Sequence, residues 1–217
     1  VVVLSVMNGA QETLRDSILG ATPHIYVQQS TTGSLRMDDW AGVAERVREV
    51  EGVVSARPFV LTQIGILRPG PYAQASDLYG IRTDAGNDAS ELEQLLAGPE
   101  YLGAEQGDLP GIVIGEQLAD RMDLYSGDTV QVIAFESMRP HPMLGFSPAT
   151  KSMVVIRRVN TGLYDYDIRS SYVRMETLQE LLDLEPDQAS GIYVRVEDPW
   201  EAESVREGIR ERLGGYP

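Results

Sequence analysis

Two histidines, no cysteine and 33 acidic residues bound the chemistry that this chain could perform. His24 and His141 each stand alone, without a second histidine at helical spacing, so a zinc-hydrolase site has no ligand pair to start from. The absence of cysteine removes disulfides, thiolate nucleophiles and Cys-based zinc sites. A nucleophile elbow needs Gly-x-Ser-x-Gly; the nearest stretch, Gly145-Phe146-Ser147-Pro148-Ala149, lacks the last glycine. Gly65 to Gly70 has phosphate-loop spacing, but Pro71 and Tyr72 stand where Lys and Ser/Thr are required. Asp165 and Asp167 would share one face of a strand. They could touch a hard cation, yet two carboxylates without a third ligand describe a solvated edge. His24, beside Pro23, reads as a residue that opens a strand. The residues predict no catalytic group, no metal site and no cofactor.

The elements that carry these residues follow from composition and periodicity. A chain of 217 residues suits one medium domain or two small subdomains, and 42% hydrophobic with 24% charged residues is ordinary for a globular protein. A net charge of -15 is not ordinary: it argues against nucleic acid and anionic lipid surfaces, both of which need fields of Lys and Arg. Among the 18 basic residues only Lys151 is a lysine. The opening run Val1 to Met7 is too short to span a membrane, which takes about 20 residues, and it lacks the basic start and cleavage site of a secretory signal. It is either an ordinary buried element or the trailing edge of a transmembrane helix, and its place at the start favours the second. Val3, Met7, Ala10, Leu14 and Ile18 continue it as an amphipathic helix that Gly20 and Pro23 end.

Beyond it, His24 to Gln28 alternates like a strand. Ser34 and Asp38 are candidate caps for a helix with Trp40, Val43, Ala44, Val47 and Val50 on one face. Val53 to Leu67 is β-rich but interrupted by Pro58, and Tyr72 to Ile81 returns after a turn. Asn87, Asp88 and Ser90 offer caps for a helix bearing Leu92, Leu95 and Leu96. Gly111 to Gly115 is a short buried strand, and Thr129 to Phe135 pairs with Met153 to Val159. Tyr172 to Arg174 is a strand, Met175 to Leu182 a helix, and Gly191 to Val196 a strand. Asp198-Pro199 starts a last helix, an Asp cap followed by proline at the first helical position.

One connector is long for its place. Residues 136 to 151, ESMRPHPMLGFSPATK, join two strands, whereas most hairpin loops run about two to five residues. Pro140, Pro142 and Pro148 stiffen it, and Met138, Met143, Leu144 and Phe146 make it apolar. It is either a lid folded over the core or a projecting arm that docks in a partner's apolar groove.

Several landmarks fall in a characteristic order: Val3-Leu4-Ser5-Val6-Met7-Asn8-Gly9 with Ala10, Ile18-Leu19-Gly20, Pro23-His24, Gly111 to Gly115 with Leu118-Ala119, Gly127-Asp128, and Gly162-Leu163-Tyr164-Asp165-Tyr166-Asp167. Together they resemble, over nearly the whole chain, the LolC/LolE permease subunits of the lipoprotein-releasing ABC transporter, with their MacB-like periplasmic core domain. The resemblance implies an α+β fold: a porter-like α/β subdomain from residues 23–82 and 161–217, an inserted β-rich, sabre-like subdomain at 83–160 bearing a hook loop at 136–151, and a transmembrane end with connector at 1–22. In the LolC-type subunit the hook binds the periplasmic carrier chaperone LolA. Pro140, Pro142, Met143, Leu144, Gly145, Phe146 and Pro148 fall on the hook, with Leu144 as one extra residue. Lys151, Gln131 and Thr150 fall on its supporting pad, Gln131 standing where the family has arginine. Asp39-Trp40 and the helix after it look more LolE-like, and a hybrid permease working as a homodimer would explain both features.

The resemblance further implies an inner-membrane permease whose domain faces the periplasm, lipoprotein cargo, a cytoplasmic LolD-like ATPase subunit that hydrolyses the ATP, and no catalysis in this chain. Val3, Leu4 and Met7 would lie near the lipid. The alternatives are a MacB-like efflux permease, an FtsX-like mechanotransmission permease that activates a cell-wall hydrolase, and, from a different class, a secreted hydrolase.

Overall fold

The computed structural model describes residues 24–31, 34–68, 73–84, 86, 89–104, 107–141 and 145–214. The expected opening helix, with Val3, Leu4 and Met7, lies outside them. The elements run β1 (Ile25–Val27), β2 (Ser30–Thr31), β3 (Ser34–Leu35), α1 (Trp40–Arg48), β4 (Val53–Leu67), β5 (Ala73–Ile81), α2 (Glu91–Leu96), β6 (Gly111–Gly115), α3 (Glu116–Met122), β7 (Thr129–His141), β8 (Gly145–Val159), α4 (Tyr164–Asp167), β9 (Ser170–Arg174), α5 (Met175–Leu182), β10 (Gly191–Val196), a 3-10 turn (Pro199–Glu201) and α6 (Ala202–Arg212).

Two units share β4, a 15-residue strand about 50 Å long. Its first half pairs with β10, which also pairs with β1 on its far side, both antiparallel. β1 and β4 are therefore parallel with β10 between them, a split β-α-β unit. Ile25, Ala56, Ile192 and Val194 turn one face of this layer toward Ala44 and Val47 of α1 and Val205 and Ile209 of α6. Pro58 sits in this half, where β4 has a neighbour on one side only, the kind of edge position that tolerates a missing N–H. The apparent break in the strand is no break.

The second half of β4 belongs to a closed barrel. The pairings β4–β5, β5–β9, β9–β6, β6–β8, β8–β7 and β7–β4 return to their start. Ile64, Ile66, Leu78, Val132, Met153 and Val155 fill it together with Leu118 and Met122 of α3 and Leu178 and Leu181 of α5. β5, β9 and α5, grouped above with the porter-like layer, belong to the barrel, because β9 bridges β5 and β6.

Local chemistry sets several ends. Asp39, not Ser34 or Asp38, caps α1: it adopts a left-handed conformation and accepts a bond from the Gly42 N–H, while Ser34 lies in β3. Ser90 and Glu93 form a reciprocal capping box on α2. Replacing Ser90 with alanine is expected to cost about 1 kcal/mol, read as a lower urea midpoint. Asp198 accepts from the Trp200 N–H and Pro199 follows, but they open a 3-10 turn that leads into α6. Residues 164–167, expected as a strand edge, form a helical turn. Asp167, 3% exposed, accepts bonds from the Thr161 N–H and hydroxyl and holds the preceding loop.

Tyr79 on β5 stacks on Tyr172 of β9, and burial pushes its hydroxyl up from 10.0 to about 12. The unfolded chain loses this proton first. The stability it contributes is fully present below about pH 10 and lost as pH rises toward 12. Between those values the urea midpoint is expected to fall more steeply for the native chain than for Tyr79→Phe, which has no proton to lose.

Candidate functional site

The barrel wall carries the site into solvent. From Thr129 to Ala134, β7 pairs with β8 in regular register, Thr129 opposite Val154 and Ala134 opposite Ala149. The register then shifts, and Phe135, Glu136 and Ser137 bulge from β7 before pairing resumes with Met138 opposite Pro148, Arg139 opposite Ser147, Pro140 opposite Phe146 and His141 opposite Gly145. β7 pairs with β4 only at Gln131 to Ala134, and β8 with β6 only from Val154 onward. Past the bulge the two strands form a free ribbon. The connector expected at 136–151 is therefore mostly strand, since β7 runs to His141 and β8 begins at Gly145. Pro142, Met143 and Leu144 lie outside the described residues.

The proline spacing explains how this stretch can be strand. Pro148 and Pro140 fall in pairs two steps apart, hence in the same phase of the ladder, and Arg139–Ser147 and His141–Gly145 form the other phase. Prolines confined to one phase can leave the hydrogen-bonded pairs intact. Gly145 enters β8 with φ +77°, in the left-handed region that favours glycine.

The ribbon's root is anchored and apolar. The Thr62 hydroxyl on β4 donates to Glu136 at 2.8 Å, tying the bulge to the barrel. Phe135 and Met138 are 60% and 54% exposed. Phe135 lies across Gly65 of β4, where even a Cβ would come within 3.2 Å of the ring. Sequence reasoning passed over Phe135 by assigning it to strand; the signal was its place in the outward phase with Gln131, opposite to buried Val130, Val132 and Ala134.

Of the three pad positions, the structure brings two together. Gln131 lies opposite Ser152 and Thr150 opposite Ile133, diagonal neighbours on the outer face, both exposed. Lys151 lies opposite inward-facing Val132, in the other phase, and its ammonium sits 2.6 Å from Glu180 of α5. A strand's period of two forces this split. The outer face of the pad is uncharged at these positions.

His24 and Gly65, also singled out for chemistry, take part in the sheet. His24 accepts the Val196 N–H at its Nδ1, 3.1 Å away, and joins β1 to β10. Gly65 belongs to β4 and to no phosphate loop. Among the described residues no group of three or more His, Asp or Glu side chains could hold a metal ion, and no helix is long and apolar enough to cross a membrane.

A split β-α-β layer is thus joined through one strand to a barrel with a projecting hairpin. The chain belongs to the MacB-like periplasmic core domain family, over residues 1–212. Its relatives include the lipoprotein-releasing system transmembrane protein LolC of Neisseria meningitidis serogroup B, 27% identical over 94% of this chain and 48% of that protein. LolC of Xylella fastidiosa is 25% identical over 99% of this chain and 50% of its own length. LolE of Haemophilus influenzae is 20% identical over 100% of this chain and 50% of its own. The chain thus spans about half the length of these relatives. Among solved structures it is similar to the periplasmic region of MacB from Actinobacillus actinomycetemcomitans, at 13% identity over 88% of this chain and 84% of that one, with a TM-score of 0.46.

Proposed function

We propose that this chain is the non-catalytic extracytoplasmic domain of a lipoprotein-releasing ABC permease in the inner membrane, and that its β7–β8 hairpin docks a LolA-like periplasmic carrier chaperone. The observation that carries the reading is the free ribbon with apolar, exposed side chains at its root, in a chain whose whole length is similar to LolC and LolE proteins. Exposed Met and Phe suit a partner's apolar groove, since thioether and ring adapt to irregular apolar surfaces. The outer pad residues Gln131 and Thr150 offer hydrogen bonds and no charge. In the whole permease a LolD-like cytoplasmic subunit supplies ATP hydrolysis, a second permease copy completes the channel, and Val3, Leu4 and Met7 lie near the lipid that holds the lipoprotein cargo.

Mixing the chain with the organism's own carrier is expected to give a co-eluting complex on size exclusion. The family's likeness to MacB favours one rival, an efflux permease. Isolation of the full-length permease with an outer-membrane channel or a cell-wall hydrolase, and without the carrier, would establish an efflux or mechanotransmission task instead.

A further inference from the structure

The face of the β1–β10–β4 layer turned away from α1 and α6 is aromatic. Phe59 stacks on Tyr193 with ring centroids 3.9 Å apart, and Tyr26 meets the two edge-on at 6.0 and 5.2 Å. Facing them, the barrel contributes the stacked pair Tyr79 and Tyr172. Between the two groups lies a cleft of about 80 Å³, into which Arg57, Arg195 and Glu93 also face. Tyr26, 51% exposed, forms its open rim.

The polar atoms here are unevenly shared. Glu93 is committed: its Oε2 accepts the Ser90 N–H and hydroxyl at 2.9 and 3.1 Å, and its Oε1 stands 3.6 Å from Arg57. Arg195 is partly used as well, its Nη1 donating to the Ala89 carbonyl at 3.3 Å. Burial keeps the Tyr79 and Tyr193 hydroxyls protonated, and the guanidinium of Arg195 adds cationic N–H groups beside Arg57. Aromatic cages commonly take quaternary ammonium ions, but two guanidiniums against one carboxylate repel a cation. The free volume is about half the roughly 150 Å³ that admits benzene, so the apolar part of a ligand must be small. A carboxylate is the acceptor that guanidinium matches best.

We propose that this cleft binds a short aliphatic carboxylate, its tail between the two aromatic stacks and its oxygens toward Arg57 and Arg195. The site is separate from the hairpin and does not depend on carrier docking. The same chemistry is offered by a free short-chain acid and by the last residue of a peptide.

The test is titration of the ¹⁵N-labelled chain, followed by two-dimensional NMR, with isovalerate, isovaleramide, choline and N-acetyl-Ala-Val. Isovalerate or the peptide is expected to shift amide signals of β4, β5 and β10 saturably, the tighter of the two naming the source. Isovaleramide is expected to bind about tenfold more weakly than isovalerate, and choline not at all. Arg195→Met should weaken isovalerate by a similar factor. Should that variant lose its folded spectrum, Tyr26→Ala, at the exposed rim, is expected to show the same weakening with the fold retained. No saturable shift from either carboxylate, equal binding of the amide, or binding of choline would overturn the proposal.

Discussion

Replacing Pro142 and Met143 together with alanine is expected to weaken carrier binding by about 100-fold or more while leaving the urea midpoint unchanged. The size follows from the few central residues that dominate most interfaces, each worth about 2 kcal/mol or more when truncated, and from about 1.4 kcal/mol per tenfold in affinity. The location follows from the hairpin: past the bulge its two strands pair only with each other, so substitutions at its end leave the barrel's ladder intact. Prolines restrict the free arm and reduce the entropy lost on docking. Isothermal titration with the carrier, beside urea unfolding, separates a docking defect from a folding defect.

Leu178→Ala is expected to have the largest effect on stability, a loss of roughly 2–5 kcal/mol. Leu178 is fully buried in the barrel cluster. It lies close against β5 because position 80 is glycine: a Cβ there would meet the Leu178 side chain at 3.4 Å and the Met175 backbone at 3.1 Å. With helix and strand in such close contact, the truncated site has little room to collapse. Leu95→Ala, on the exposed side of α2, is expected to change stability by no more than about 0.5 kcal/mol. Urea unfolding of both variants checks the contrast.

Most elements were legible because their patterns are local. The buried run Gly111 to Gly115 and the apolar stripe of α5 announce themselves within one window of sequence. The barrel did not, because its closure rests on β4 meeting β7, strands far apart in sequence that carry no mark of partnership. Nor did the hairpin. Three prolines in a short stretch suggest a loop, and only the register shows that Pro140 and Pro148 share a phase the ladder can tolerate. Lys151 illustrates a one-residue sensitivity: beside Thr150 in sequence, it points to the other side of the pleat and pairs with Glu180. The aromatic cleft was invisible for a further reason. Tyr26, Phe59, Tyr79, Tyr172 and Tyr193 come from five different strands, and their meeting is a property of the sheet order alone.

The docking hairpin is tested most directly by methyl NMR of the chain with its seven methionines ¹³C-labelled, on addition of unlabelled carrier. The expected result is that the Met138 and Met143 signals shift or broaden while those of Met122, Met153 and Met175, buried in the barrel, stay in place. Carrier binding that leaves Met138 and Met143 unmoved, or no binding at all, would contradict the account.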